Sequence, residues 1–322
     1  MAPGVKWIRM PLPFALEWIN LWLIDDGDGW VLVDTGIATE ETRDHWRALF
    51  DGEMGGKPIK KVLITHMHPD HVGLAGWLTR KFDAPLYMSR LEYITCRMLV
   101  ADTGREAPEA GTTFYRAAGW TDEQIALYET RFGGFGKAVS RLPDAYHRLS
   151  EGDRITIGGE AWRVIMGCGH SPEHACLYRE ADRLLISGDQ VLPRISSNVS
   201  VFPTEPEGDP LEDWLSSCRR LIDAIPEDTL ILPAHNEPFR GAHKRLDALI
   251  TGHERGLSRL MSRLTEPKRA VDCFGALFAR QIGDGDLSMA TGEAIAHLNC
   301  LRGRGQVVRE TDDAGVHWYR AA

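Results

Sequence analysis

The run KVLITHMHPDH at residues 61–71 constrains this chain more than any other segment. A short apolar strand there leads straight into a polar segment that cannot continue it, because Pro69 has no N–H to give to a ladder. On the extended part, His66 and His68 fall on the same side, two residues apart. After the bend, Asp70 and His71 can face a second point nearby. Imidazole and carboxylate suit zinc, iron and manganese. Four such groups this close can serve two ions separated by roughly 3.5–4 Å, the spacing of two-metal hydrolytic sites. Twelve histidines among 322 residues would rarely put three into one six-residue window by chance.

Other strand ends carry donors of the same kind. His170 lies in MGCGHSPEH, Asp189 in LISGDQ and His235 in LPAHNEP, and glycines beside the first two permit sharp turns. The pattern predicts two strands around DDGDG within 18–35, and further strands at 61–65, 85–89, 153–157, 161–166, 183–187 and 230–232. Helices are expected over 39–50, 72–81, 210–225 and 242–264, the last two with apolar residues at i, i+3, i+4 spacing. Between about 90 and 147, helical segments and glycine-rich breaks replace the strand pattern. This reads as a helical insertion able to form a lid or a pocket wall. Pro267 marks a boundary between a catalytic domain over 1–265 and a tail over 266–322. In the tail, helices at 271–281 and 288–301 and a hairpin turning at 312–315 suggest a small winged-helix-like unit.

Composition narrows the function. The formal charge of −9 offers no general basic field, which disfavours nucleic acid as the main partner and favours a small-molecule substrate. No apolar run approaches the ~20 residues a bilayer span needs. Prolines and Glu17 interrupt the N-terminal apolar stretch, so it is expected to belong to the fold and the protein to be cytoplasmic. The six cysteines form no C-x-x-C pair and suit reduced, scattered thiols.

The segments Thr65-His66-Met67-His68-Pro69-Asp70-His71-Val72-Gly73, Gly169-His170-Ser171-Pro172, Ser187-Gly188-Asp189 and Pro233-Ala234-His235, preceded by Val33-Asp34-Thr35-Gly36, resemble the metallo-β-lactamase superfamily. Five elements occur in that family's order, over residues 15–240. The resemblance implies an α+β fold, a four-layer αββα sandwich with metals at one edge. It implies that His66, His68 and His170 hold one ion, that Asp70, His71 and His235 hold the other, and that Asp189 bridges them. Asp34 would fix a ligand imidazole by a hydrogen bond. His174 is expected to serve structurally rather than as an eighth ligand, and Cys168, where the family commonly has proline, to be a small buried side chain. The full set favours the dinuclear hydrolase branch over a β-lactamase proper.

Two divalent ions follow as cofactors, zinc first, with iron or manganese as alternatives. Water made acidic between them would attack as hydroxide, with Asp70 as the catalytic residue that orients it and passes a proton to the leaving group. The leading expectation is cleavage of an ester-like bond, in a thioester or lactone. The loop Arg194 to Asn198 offers a cation and donors to a substrate, or is simply solvated; no substrate-binding residue is assigned. The alternative is an endoribonuclease or phosphodiesterase, because a winged-helix-like tail with Arg302, Arg304 and Arg309 resembles that of lactamase-like endoribonucleases. Such tails also serve as dimer modules, which leaves a homodimer open. Redox chemistry fits poorly, because no flavin module follows.

Overall fold

The computed structural model describes residues 2–13 and 15–322. Its first sheet begins with an antiparallel meander of β1 (Val5–Pro11), β2 (Trp18–Asp25) and β3 (Trp30–Val33). Onto β3 are added, in parallel, β4 (Ile59–Leu63), β5 (Leu86–Ser89) and β6 (His147–Leu149). Parallel neighbours need crossovers. These are α1 (Glu40–Asp51), then α2 (Pro69–Val72) with α3 (Ala75–Phe82), then the insertion with α4 (Arg90–Ala101), α5 (Glu109–Ala117) and α6 (Asp122–Arg131).

The second sheet runs β7 (Arg154–Ile157), β8 (Glu160–Gly167), β9 (His174–Arg179) and β10 (Leu184–Gly188) antiparallel, with β11 (Leu230–Pro233) parallel to β10. Helix α7 (Pro210–Ala224) makes that last crossover, its first turn capped by Asp209.

Period-two burial explains the layering. Trp22, Ile24, Val31, Val33 and Leu63 from the first sheet meet Trp162, Val164, Leu177, Ile186 and Leu232 from the second, and this is the interior of the sandwich. The alternate residues of the first sheet, such as Leu21, Leu23, Val62 and Ile64, pack under Trp46, Leu78 and Tyr93 from its helices. Those of the second, such as Ile165, Tyr178, Leu185 and Ile231, pack under Trp214, Leu215 and Leu246. The result is an αββα sandwich.

The tail shares this last core. Helix α8 (Ala242–Met261) and helix α10 (Leu287–Gly303) pack against α7, and Val307 and Tyr319 of the hairpin β12 (Val307–Thr311) and β13 (His317–Ala321) join the same apolar cluster. The hairpin turns at Asp312 to Gly315, as its composition predicts. The helix expected at 271–281 is not formed. A 3₁₀ turn at Ala270–Cys273 and a single turn α9 (Phe274–Leu277) replace it, and the backbone leaves in extended form at Phe278. Gly275 weakens a longer helix there, and the backbone pairing of Lys268 with Tyr319 fixes the entry.

Three other segments depart from expectation. The helix predicted over 72–81 splits into α2 and α3 at Gly73 and Leu74, whose amides turn back to the carbonyls of Pro69 and Gly36. Strand β1 was not foreseen, because Lys6, Arg9 and Pro11 dilute its apolar side at the sheet edge. Strand β9 was also missed: all six residues are buried, so alternation gives no signal. No helix among the described residues is long and apolar enough to cross a membrane. All six cysteines are free thiols.

Trp162 is fully buried between the sheets. Trp162→Ala should cost about 3–5 kcal/mol by loss of packing, read as a lower midpoint in urea denaturation; an unchanged midpoint would contradict this layering.

Candidate metal centre

Three strand ends, one turn and one short helix deliver the predicted donors to a common edge of the sandwich. His66 follows β4, His170 sits in the β8–β9 turn, Asp189 follows β10 and His235 follows β11. His68, Asp70 and His71 lie on or just before the short helix α2. All seven come together. Donor atoms of His66, His68 and His170 lie within 4.8 Å of one another, as do those of His66, His71 and Asp189, and those of Asp70, His71 and His235.

The far nitrogen of each ring decides which nitrogen faces the centre. His71 Nδ1 donates to Asp34 Oδ2 at 2.7 Å, His170 Nδ1 to the Asn198 carbonyl at 2.7 Å and His235 Nδ1 to the Trp18 carbonyl at 3.0 Å. His66 Nδ1 lies 3.1 Å from Thr65 Oγ1, whose own proton goes to Asp34 Oδ2 at 2.8 Å. In all four rings Nε2 is therefore left as a lone pair pointing inward.

These lone pairs face one another. His66 Nε2 is 3.3 Å from His170 Nε2 and 2.9 Å from His68 Nδ1. His71 Nε2 lies 3.6 Å from Asp70 Oδ2 and 3.5 Å from Asp189 Oδ1, and His235 Nε2 lies 3.4 and 3.5 Å from the same two oxygens. Asp189 Oδ2 is 3.4 Å from His170 Nε2, so its carboxylate spans both groups. His71 Nε2 and Asp189 Oδ1 are buried without any hydrogen-bond partner. Buried polar atoms are rarely left so. Nitrogen and carboxylate donors converging without protons between them fit divalent cations, so the donor set passes this test.

Electrostatics divide the cluster. Burial, with the neighbouring imidazoles, pushes His68 down to about 3 and His66 well below its ordinary value. Burial acts the same way on His71 and His235, but the carboxylates around them outweigh it and raise both. Burial would raise Asp70 and Asp189; His71 and His235 overcome it and hold both carboxyls below the usual range.

A model of the metallo-β-lactamase superfamily matches residues 19–235, and a second, for the C-terminal domain of metallo-β-lactamase-like proteins, matches 257–322. The chain belongs to the metallo-β-lactamase superfamily, and it is a metallo-hydrolase of that fold. A β-lactamase domain protein from Burkholderia ambifaria superposes with a TM-score of 0.90 at 42% identity, over 100% of this chain and 93% of that one. A probable metallo-hydrolase of Bacillus subtilis is 26% identical over 91% of each chain. A human acyl-coenzyme A thioesterase is 24% identical over 74% of this chain and 80% of its own length.

In this metallo-β-lactamase fold Asp34 fixes Thr65 as well as the His71 ring. Its Oδ1 accepts the Thr65 amide and its Oδ2 the Thr65 hydroxyl, each at 2.8 Å, besides His71. His174 lies outside the donor set, as expected: its Nε2 accepts the Asp189 amide at 3.0 Å and so has no lone pair to offer inward. Gly169, at φ +100, lets the His170 turn pass over α7, where a Cβ would sit 2.6 Å from Trp214 Cβ. The Cys168 thiol takes no part in the cluster, and burial raises it.

The loop after Asp189 spends its polar groups internally. Arg194 pairs with Glu237 at 2.9 Å, Ser196 Oγ lies 3.0 Å from His253 Nε2, Ser197 Oγ donates to the Asp189 carbonyl at 2.5 Å and Asn198 Nδ2 donates to Glu293 at 2.7 Å. Few of its donors remain for a substrate, which weakens the recognition reading that the sequence left open beside plain solvation.

One residue escaped sequence reasoning. Glu92, fully buried on α4, accepts the Met67 amide through Oε2 and the Glu173 amide through Oε1, each at 2.8 Å. It clamps the two ligand loops together. Its i, i+4 relation to Cys96, on the helix face that also buries Tyr93, is the signal that could have found it.

Asp34→Asn should lower affinity for the ion at His71 by about 10–100-fold, the usual effect of removing a ligand's hydrogen-bond partner. Competition with a chromogenic chelator measures this, and wild-type affinity would remove Asp34 from that role.

Proposed function

We propose that this chain hydrolyses an ester-like bond in a small molecule, an acyl thioester first and a lactone second, using two divalent ions, most readily zinc. The observation that carries this reading is the donor set itself, two triads joined through the Asp189 carboxylate. Ions held there would supply acidified water and Lewis-acid polarisation at neutral pH. The human thioesterase relative supports the thioester over other ester-like bonds.

Asp70 carries the proton. Its side chain is 18% exposed, against 0% for His71 and 2% for His235, so it faces outward where water and substrate arrive. Held anionic by His71 and His235, the carboxylate can accept a proton from the attacking water and return it to the departing sulfur or oxygen. Apolar side chains stand exposed on the segments that hold the ligands. Leu16 and Trp18 lie beside the carbonyl that binds His235, and Ile195 and Phe202 flank the loop that binds His170. They suit the hydrocarbon part of an acyl group, and the Arg9 guanidinium, 5.3 Å from the Trp18 ring, suits an anionic end.

The nuclease alternative loses its main support. Arg302 and Arg309 both pair with Glu207, at 3.1 and 2.7 Å, and Arg304 pairs with Glu212 and Glu254, each at 2.9 Å. Arginines neutralised in this way leave little free charge for a phosphate backbone.

A panel of acyl-coenzyme A thioesters, lactones, phosphodiesters and single-stranded RNA tests the reading. Thioester turnover should disappear on chelation, return with zinc, and fall by about 10²–10⁴-fold in Asp70→Ala, the range for losing a positioned acid–base group. Cleavage of RNA alone, or turnover indifferent to chelation, would overturn it.

A further inference from the structure

Asn198 connects the metal centre to the tail. Its backbone carbonyl accepts from His170 Nδ1, and its side-chain amide donates to Glu293 Oε2 on α10, both at 2.7 Å. The other end of the amide, Oδ1, accepts from Ser200 Oγ at 2.6 Å. Both ends of this side chain are therefore pinned, and with them the peptide group that orients His170.

Helix α10 is built to come this close. Gly292 accepts the Val201 amide at 3.1 Å, and a Cβ at Gly292 would lie 2.7 Å from Ser200 Cβ. The adjacent residue, Thr291, accepts from Trp120 Nε1 of the insertion through its Oγ1 at 2.9 Å.

A second strap runs alongside. His297 Nδ1 donates to the Glu293 carbonyl at 2.8 Å, which leaves its Nε2 to face His253 Nδ1 at 3.5 Å. His253 Nε2 then accepts from Ser196 Oγ at 3.0 Å. Burial holds both rings neutral by pushing each down to about 4, so each has one donor and one acceptor for these contacts.

We propose that Glu293 is a positioning residue for His170. Through Asn198, α10 sets the ring that completes the His66–His68–His170 triad, and the tail becomes part of the metal centre rather than an appended module. This rests on the two-ion reading above. The other triad is oriented by different groups, Asp34 for His71 and the Trp18 carbonyl for His235, and neither bond involves α10. Loss of Glu293 must therefore act on one ion and spare the other.

Zinc stoichiometry and chelator competition on the full-length protein test this. Wild type should bind two equivalents. Glu293→Ala should keep one at wild-type affinity and bind the other about 10–100-fold more weakly, as ligand-orienting partners typically do. Asn198→Ala, which keeps the carbonyl but cuts the link, should give the same selective loss. Glu293→Gln, still able to accept from Asn198, should recover most of the lost affinity. If both alanine variants bind two equivalents as wild type does, or weaken both ions equally with a lower melting temperature, Glu293 has no positioning role. If wild type itself binds fewer than two, it is the two-ion reading that fails.

Discussion

Imidazole lone pairs that point at one another in a dry pocket repel, and the fold around residues 66–71 exists to hold them there. Nothing in the polypeptide relieves the 3.3 Å approach of His66 Nε2 to His170 Nε2, because the far nitrogens of both rings are already committed. Desolvation adds to the cost, and it shows in how far His66 and His68 are driven from protonation. A cation shared among the lone pairs turns that cost into binding. Thr65, Asp34, Asn198 and Trp18 serve one end, which is to decide ring by ring which nitrogen is offered.

The two halves of the centre reach this condition differently. One triad is all imidazole, and burial with the neighbouring rings drives His66 and His68 away from protonation. The other includes Asp70 and leans on Asp189 and Asp34, whose charges raise His71 above the ordinary imidazole value against the effect of burial. Asp189 belongs to both, with one oxygen toward His170 and the other toward His71 and His235. Its carboxylate is what makes the two sites one.

The converging donors were legible in the sequence because their chemistry restricts residue type and, in the 66–71 segment, spacing as well. The sandwich followed wherever strands alternate, and was obscured where β9 is buried on both faces. The positioning residues were not legible, for a physical reason. Glu92 and Glu293 are ordinary acids on helices, and what distinguishes them is a partner 25 to 95 residues away that only the folded chain supplies. Arg302, Arg304 and Arg309 show the reverse error. Their charge is visible in the sequence, while Glu207, Glu212 and Glu254, which cancel it, become neighbours only on folding.

The same distinction explains why an αββα sandwich gains from an added helix at this edge. Strand ends aim these side chains but are followed by a long irregular segment at 189–201, and a loop alone holds a peptide carbonyl poorly. Helix α8 supplies His253 and α10 supplies His297 and Glu293, so the loop is fixed from outside the two sheets. A tail that shares the apolar core of α7 can do this without a hinge, because packed interiors transmit position rather than deform. Rigidity at Asn198 is thereby inherited from the core that Val199 and Val201 of the same loop join, and the His170 ring is as well placed as that core is well packed.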